Sequence, residues 1–178
     1  MANKYKIKII QIKSGIISAK RIELMEKMKS FASLNNYEYD LITDNQIKEA
    51  VNKFETRYKK WWDLHVKCGY MESNFIKFYL ASLNPDMLYA DNDVEFLKAP
   101  IFSSNKSYFG KENQYISPNP SLFYVNNNCM WFSKLLEESM LRIPSVPYKK
   151  GWADIVARKY ISYVDIITSD YFIHYRRI

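Results

Sequence analysis

The sequence predicts an α/β domain, a mostly parallel sheet flanked by helices, and three observations carry that prediction. Short apolar runs with strand periodicity alternate with longer runs in which apolar residues recur every three or four positions. Hydrophobic residues make up 48% of the 178 residues and aromatic residues 16%, including 15 Tyr and 10 Phe, which suits a packed core and not a disordered chain. No internal repeat, low-complexity stretch or Gly/Ser-rich linker interrupts the chain, so residues 1–178 are expected to form one domain of ordinary size.

The elements follow in order. Tyr5 to Ile12 alternates lysine with isoleucine and reads as a first strand; its apolar patch is short, interrupted by lysines and followed by no small-residue cleavage site, so it is not expected to be a leader. From Ala19 to Leu34, Ile22, Met25, Met28 and Ala32 recur at helical spacing. Asn35-Asn36 then turns the chain into a strand over Tyr37 to Thr43. Ile47, Ala50, Val51, Phe54, Tyr58, Trp61, Trp62 and His65 fall on one face of a single long helix, with Gly69 as its terminator and His65 as a core histidine. Core packing is also the expected role of Trp61 and Trp62, with stacking on a sugar or base as the alternative. A helix over Ser73 to Leu83 stops at Asn84-Pro85, and Asp86 to Leu97 forms a buried strand with a polar end.

The second half is less regular. Strands are expected at Gln114 to Ile116 and Leu122 to Val125, on either side of a Pro118-Asn119-Pro120 turn. A helix over Asn128 to Leu141 ends before Pro144 and Pro147, and Trp152 to Tyr160 (helix) and Tyr163 to Ile167 (strand) complete the pattern. In a parallel sheet covered on both faces, ligands sit at the carboxyl ends of the strands.

Composition bounds the function classes. Cys68 and Cys129 fit neither a zinc spacing nor a multi-bridge framework, so a reducing, cytoplasmic setting is expected. No uncharged apolar run approaches the roughly eighteen residues that a spanning helix needs, which leaves only peripheral membrane contact. The net charge of +7 favours anionic partners. Its lysines and arginines are scattered, however, and read chiefly as a solvated surface, which makes nucleic acid an unlikely partner.

The informative stretch is Met87-Leu88-Tyr89-Ala90, apolar enough to be buried, which delivers Asp91, Asn92 and Asp93 within three residues. Two carboxylates so close repel one another unless a cation lies between them, and hard divalent ions such as Mg2+ or Mn2+ accept carboxylate oxygens while leaving positions for phosphate and water. Asp-Asn-Asp is equally ordinary turn chemistry, because these side chains cap their own backbone. The apolar run before the motif and Val94-Glu95-Phe96-Leu97 after it favour a strand that resumes.

These residues carry a family resemblance. Glu72-Ser73-Asn74-Phe75-Ile76-Lys77-Phe78-Tyr79 followed by Pro85-Asp86-Met87-Leu88-Tyr89-Ala90-Asp91-Asn92-Asp93-Val94 resembles the donor-site segment of DXD-containing glycosyltransferases, of the group typified by mannosyl- and galactosyltransferases and capsular-polysaccharide enzymes. Lys8-Ile9-Ile10-Gln11-Ile12 and Tyr39-Asp40-Leu41-Ile42-Thr43-Asp44 are similar to that family's first two strands. The chain departs from the pattern in having Asn74 for Asp, Lys77 for Arg, and Asn84-Pro85 for a glycine pair. Lysine keeps the charge and loses the bidentate fork.

What the resemblance implies is a GT-A-like, Rossmann-like domain that moves a sugar from a nucleotide-sugar donor (a UDP- or GDP-sugar) to a hydroxyl acceptor on a glycan, protein or other molecule, with retention of configuration. Asp91 and Asp93 would hold Mn2+ or Mg2+, with Gln11, Ile12, Asn74, Lys77 and Asn92 near the donor. Ser169 to Arg177 is similar to the family's closing segment, which makes His174 a third metal ligand, with a packed histidine as the alternative; Arg176 and Arg177 would offset diphosphate charge or form an exposed tail. Asp154 is the candidate catalytic carboxylate, or else a helix N-terminal charge. The rival functions are a catalytically inactive nucleotide-sugar-like binding module and, less favoured, a basic nucleic-acid-binding protein.

Overall fold

The computed structural model describes residues 6–66, 69–103, 106–112, 119–126, 131–142 and 164–175. Strands are β1 (Lys8–Lys13), β2 (Glu38–Thr43), β3 (Met87–Ala90), β4 (Val94–Phe96), β5 (Ser107–Lys111), β6 (Asn119–Tyr124), β7 (Val164–Thr168) and β8 (Phe172–His174). Helices are α1 (Ala19–Leu34), α2 (Asp44–Asn52), α3 (Thr56–His65), α4 (Gly69–Leu83) and α5 (Trp131–Arg142). Six strands form one sheet in the order β2-β1-β3-β6-β5-β7, and β4 pairs with β8 in a small second sheet. Only β6 runs against its neighbours within the six, so the sheet is mostly parallel, as expected.

Period-two alternation explains why both faces are covered. Ile10, Ile12, Met87, Tyr89, Phe109, Phe123 and Val125 pack with Phe54, Tyr58, Trp61, Phe75, Phe78, Phe132 and Leu136, which come from the α2–α5 side. Their neighbours Ile9, Leu88, Ala90, Leu122 and Tyr124 pack instead with Met28 and Ala32 of α1 and with Val94, Phe96 and Phe172. Each fully buried side chain of this size stabilises the fold by about 1.5–3 kcal/mol. Trp61 is core, its indole N–H donating to the Met140 carbonyl at 2.7 Å, and His65 lies half-buried with its ring centroid 5.2 Å from that of Trp61.

Several elements differ from the sequence-based expectation. In α1 the buried face is Leu24, Met25, Met28 and Ala32, while Ile22 lies 46% exposed. The expected long helix is two, broken at Lys53–Glu55. There the amides of Lys53 and Phe54 bond to the carbonyls of Ala50 and Val51, a tightened last turn that ends α2 and drops the Phe54 ring against Tyr79, 4.5 Å between centroids. Gly69 begins α4 and does not terminate its predecessor. The strand β5 has no counterpart in the expectation, and β6 runs back through Pro120 to Asn119, where a turn was expected. At the β5 irregularity between Phe109 and Gly110, a Cβ on Gly110 would lie 2.9 Å from the Leu122 Cβ, so the strands approach where a side chain would intervene. The expected strand over 114–116 and helix over 152–160, with Asp154, Cys68, Cys129, Arg176 and Arg177, lie outside the described residues. Among the described residues no helix is long and apolar enough to cross a membrane.

Candidate functional site

The carboxyl ends of β1, β2, β3, β5 and β7 lie along one edge of the sheet, and the start of β6 joins them there. Asp91, Asn92 and Asp93 form a turn on that edge between β3 and β4, so the single strand expected over Asp86 to Leu97 is two strands in different sheets, with the motif as the turn that carries the chain from one to the other. Backbone bonds define it: the Asp91 amide donates to Ser121 O at 2.7 Å, the Val94 amide to Asp91 O at 3.1 Å, and the Tyr175 amide to Asp93 O at 2.8 Å.

Three of the expected donor-site residues brace this turn. Gln11 is fully buried; its amide NH2 donates to Asp91 O at 3.1 Å and its carbonyl accepts the Tyr39 hydroxyl at 3.0 Å. Asn92 Nδ2 donates to the Ile12 carbonyl at 3.3 Å, tying the turn to β1. Gln11, Ile12 and Asn92 are therefore joined to the acidic motif through the backbone they hold.

The two aspartates have different partners. Asp91 Oδ1 accepts the Tyr89 hydroxyl at 2.6 Å and lies 3.7 Å from Lys77 Nζ, whose side chain is 4% exposed on α4. Burial, reinforced by Asp91, pushes the Tyr89 phenol well above its ordinary value, so it remains a donor. Asn74, one turn before Lys77, is also buried, and its Nδ2 has no hydrogen-bond partner. Asp93 faces the other way, toward α1 and β8: Oδ2 accepts from Arg21 Nη2 at 3.2 Å, and Oδ1 lies 3.2 Å from His174 Nε2.

His174 is the second centre of the site. Its Nδ1 lies 3.0 Å from Glu112 Oε1, and Asn119 Nδ2, 3.4 Å away, donates to the same glutamate oxygen at 3.3 Å. Burial alone would lower the imidazole pKa, but Asp93 and Glu112, one at each ring nitrogen, outweigh it and the net shift is upward. Three carboxylates, Asp91, Asp93 and Glu112, thus meet two cationic groups, Lys77 and Arg21, and the imidazole of His174, which adds a third when protonated.

Of the expected metal ligands, the structure brings Asp93 and His174 into contact and leaves Asp91 with Lys77 and Tyr89. Among the described residues no group of three His, Cys, Asp or Glu side chains stands ready to hold an ion. The donor chemistry nevertheless suits a divalent cation, because carboxylate oxygens and an imidazole nitrogen stand together there and Asp93 Oδ1, 3.2 Å from His174 Nε2, lacks an aligned hydrogen bond. Beside the turn, a crevice of about 280 Å³ at the ends of β1 and β2 is lined by Lys13, Gly15, Thr43, Asp44 and Asn45. The Gly15 amide donates there to the Asp44 carboxylate at 3.2 and 3.3 Å, and Gly15 adopts φ +68°, a conformation natural to glycine.

Sequence reasoning missed Arg21, Glu112 and Asn119. No spacing links them to the acidic motif; only the packing of α1, β5 and β6 around it does.

No protein-family model and no curated protein matches the chain. Solved structures do. A glycosyltransferase involved in the glycosylation of the major capsid of PBCV-1 superposes with a TM-score of 0.56 at 10% identity, over 97% of this chain and 96% of that one. The apo form of the glycosyltransferase GlyE of Streptococcus pneumoniae TIGR4 gives 0.57 at 11% identity, over 92% of this chain and 45% of that one. The galactosyltransferase LgtC, solved in complex with donor and acceptor sugar analogs, gives 0.54 at 12% identity, over 92% and 74%. This chain thus spans less than half of GlyE and nearly all of the PBCV-1 glycosyltransferase. What these likenesses establish is architecture: the chain has the GT-A-like fold of these glycosyltransferases.

Proposed function

We propose that the chain is a metal-dependent glycosyltransferase, acting as one domain over residues 1–178, that moves a sugar from a UDP- or GDP-sugar to a hydroxyl acceptor with retention of configuration. The observation that carries this reading is the 3.2 Å contact between Asp93, on the acidic turn, and His174, near the far end of the chain, on the carboxyl edge of a glycosyltransferase-like sheet. Mn2+ or Mg2+ held by Asp91, Asp93 and His174 would supply Lewis-acid stabilisation of the departing diphosphate.

The protein's own residues do the rest. Lys77, held in the interior beside Asp91, offers a fixed positive charge to the phosphates. The unbonded amide of Asn74 has a hydrogen bond to give a donor hydroxyl. Gln11, Asn92 and the Ile12 carbonyl keep the turn from yielding when the ligand binds. The crevice between Lys13 and Asn45 has room for the nucleoside. Asp154 remains the proposed carboxylate on the acceptor side, and the setting proposed is cytoplasmic.

The pairing of Asp93 with Arg21 and His174 also supports a second reading, a nucleotide-sugar-binding module without catalysis. A panel of UDP- and GDP-sugars incubated with the protein and Mn2+, with released nucleoside diphosphate as the readout, separates the two. Transfer predicts release that a chelator abolishes and that Asp93→Asn reduces by about 100-fold or more, the scale of losing one transition-state-stabilising group. Calorimetric binding of a donor without release supports the module and contradicts transfer.

A further inference from the structure

Arg21 has no part in the roles given so far, and its placement is hard to explain as helix support. It sits in the first turn of α1, where its amide bonds to the Ser18 cap at 3.3 Å and no acidic residue accompanies it. A cation at this end opposes the helix dipole, so α1 gains nothing from the guanidinium. Its partner is Asp93, 3.2 Å from Nη2.

That pairing is incomplete in a way that invites exchange. Arginine can grip a carboxylate with two parallel N–H bonds, yet here a single one is made. Arg21 Nε is buried with no partner, and on the other side of the same carboxylate Asp93 Oδ1 is buried with no aligned hydrogen bond. One donor of the guanidinium is thus left unsatisfied at this ion pair, although it is costly to bury alone, while the far oxygen of the carboxylate has only the ring of His174 beside it at 3.2 Å.

Resting on the metal-dependent reading above, we propose that Arg21 is a further residue of the donor site: the protein's own cation on Asp93, which a divalent ion must displace. It neutralises Asp93 when no ion is bound and thereby sets the affinity for the ion. Once released, its guanidinium would be free to offset negative charge on a ligand bound at the same edge of the sheet. Arg21 is in this sense a positioning residue, acting through Asp93.

The test is Mn2+ binding alone, followed by titration calorimetry on the full chain without donor. If Arg21 competes with the ion, Arg21→Met tightens Mn2+ about tenfold, the scale of removing one charge-assisted bond, and Arg21→Lys tightens it less. Lys20→Met, the same charge change on an adjacent exposed residue paired with Glu23, is expected to shift it by no more than about twofold because solvent screens it. Unchanged or weaker Mn2+ binding by folded Arg21→Met overturns the proposal and leaves the metal-dependent reading standing. Equal tightening by Lys20→Met also overturns it, by assigning the effect to overall charge. If Arg21→Met does not fold, Arg21→Lys decides on the same criterion. Failure of the wild type and every variant to bind Mn2+ overturns the metal site and this role together.

Discussion

The Tyr89 hydroxyl has one bond to give, and it gives it to Asp91 at 2.6 Å. Its ring is buried and stacks on Phe123 with centroids 5.0 Å apart, so burial keeps the phenol protonated while packing fixes its direction. Tyr89→Phe preserves the stack and removes only the donor. We expect a loss of about 1.5–3 kcal/mol in urea unfolding, a typical cost for a hydrogen bond to a charged acceptor, together with a raised KM for donor as Asp91 loses its orientation. Unchanged stability and KM would show that Lys77 alone positions Asp91. Asp93 is held differently, between a guanidinium and an imidazole, so the two aspartates of the motif are not equivalent despite being two residues apart.

At the scale of elements, the site is held together by ties between α1, β4 and the segment after β8. Glu95 on β4 accepts the Tyr175 hydroxyl at 2.7 Å and Lys27 Nζ of α1 at 3.0 Å. The Tyr175 bond chiefly, then Lys27, holds its carboxyl below the ordinary range despite partial burial. A carboxyl whose folded pKa is depressed stabilises the fold above its unfolded pKa, and that contribution is lost as the pH falls through the folded value. The melting temperature of wild type should therefore exceed that of Glu95→Gln at about pH 7, with the gap closing as the pH falls below the ordinary carboxylate range. A gap independent of pH would mean that the charge of Glu95 is not what ties these elements.

Legibility in the sequence also divides by element. Strand β3 was legible because a run of apolar residues on both faces ends abruptly at Asp-Asn-Asp; that the chain turns there into a second sheet was not, because Val94-Glu95-Phe96 reads equally well as the same strand continued. The break between α2 and α3 was not, because no proline or glycine marks it and the apolar spacing of Phe54 suits a continuous helix as well as a packed corner. Ile22 misled for a related reason: its spacing fits the face, but Leu24 makes the contact. Strand β5 is a short Ser-Tyr-Phe-Gly-Lys run whose pairing depends on Gly110 letting β6 come close, a tertiary fact with no local signature.

For the molecule as a whole, the fold gathers residues that are far apart in sequence onto one edge of the sheet. Arg21, Lys77, Asp91, Asp93, Glu112 and His174 come from α1, α4, the β3–β4 turn, the end of β5 and β8. The sequence offered Lys77, Asp91, Asp93 and His174 through their motifs; Arg21 and Glu112 became visible only as partners of those residues. The net charge of +7 places this locally balanced cluster on a protein that attracts anions overall, which suits a phosphate-bearing ligand. The proposed function requires that Asp91, Asp93 and His174 close on one ion that grips a diphosphate. Anomalous diffraction at the manganese edge, from crystals grown with Mn2+ and UDP or GDP, tests it most directly. The expected result is one manganese bound by both aspartates and His174, with Arg21 displaced from Asp93; a diphosphate seated on the edge with no manganese beside those three residues would overturn the metal site.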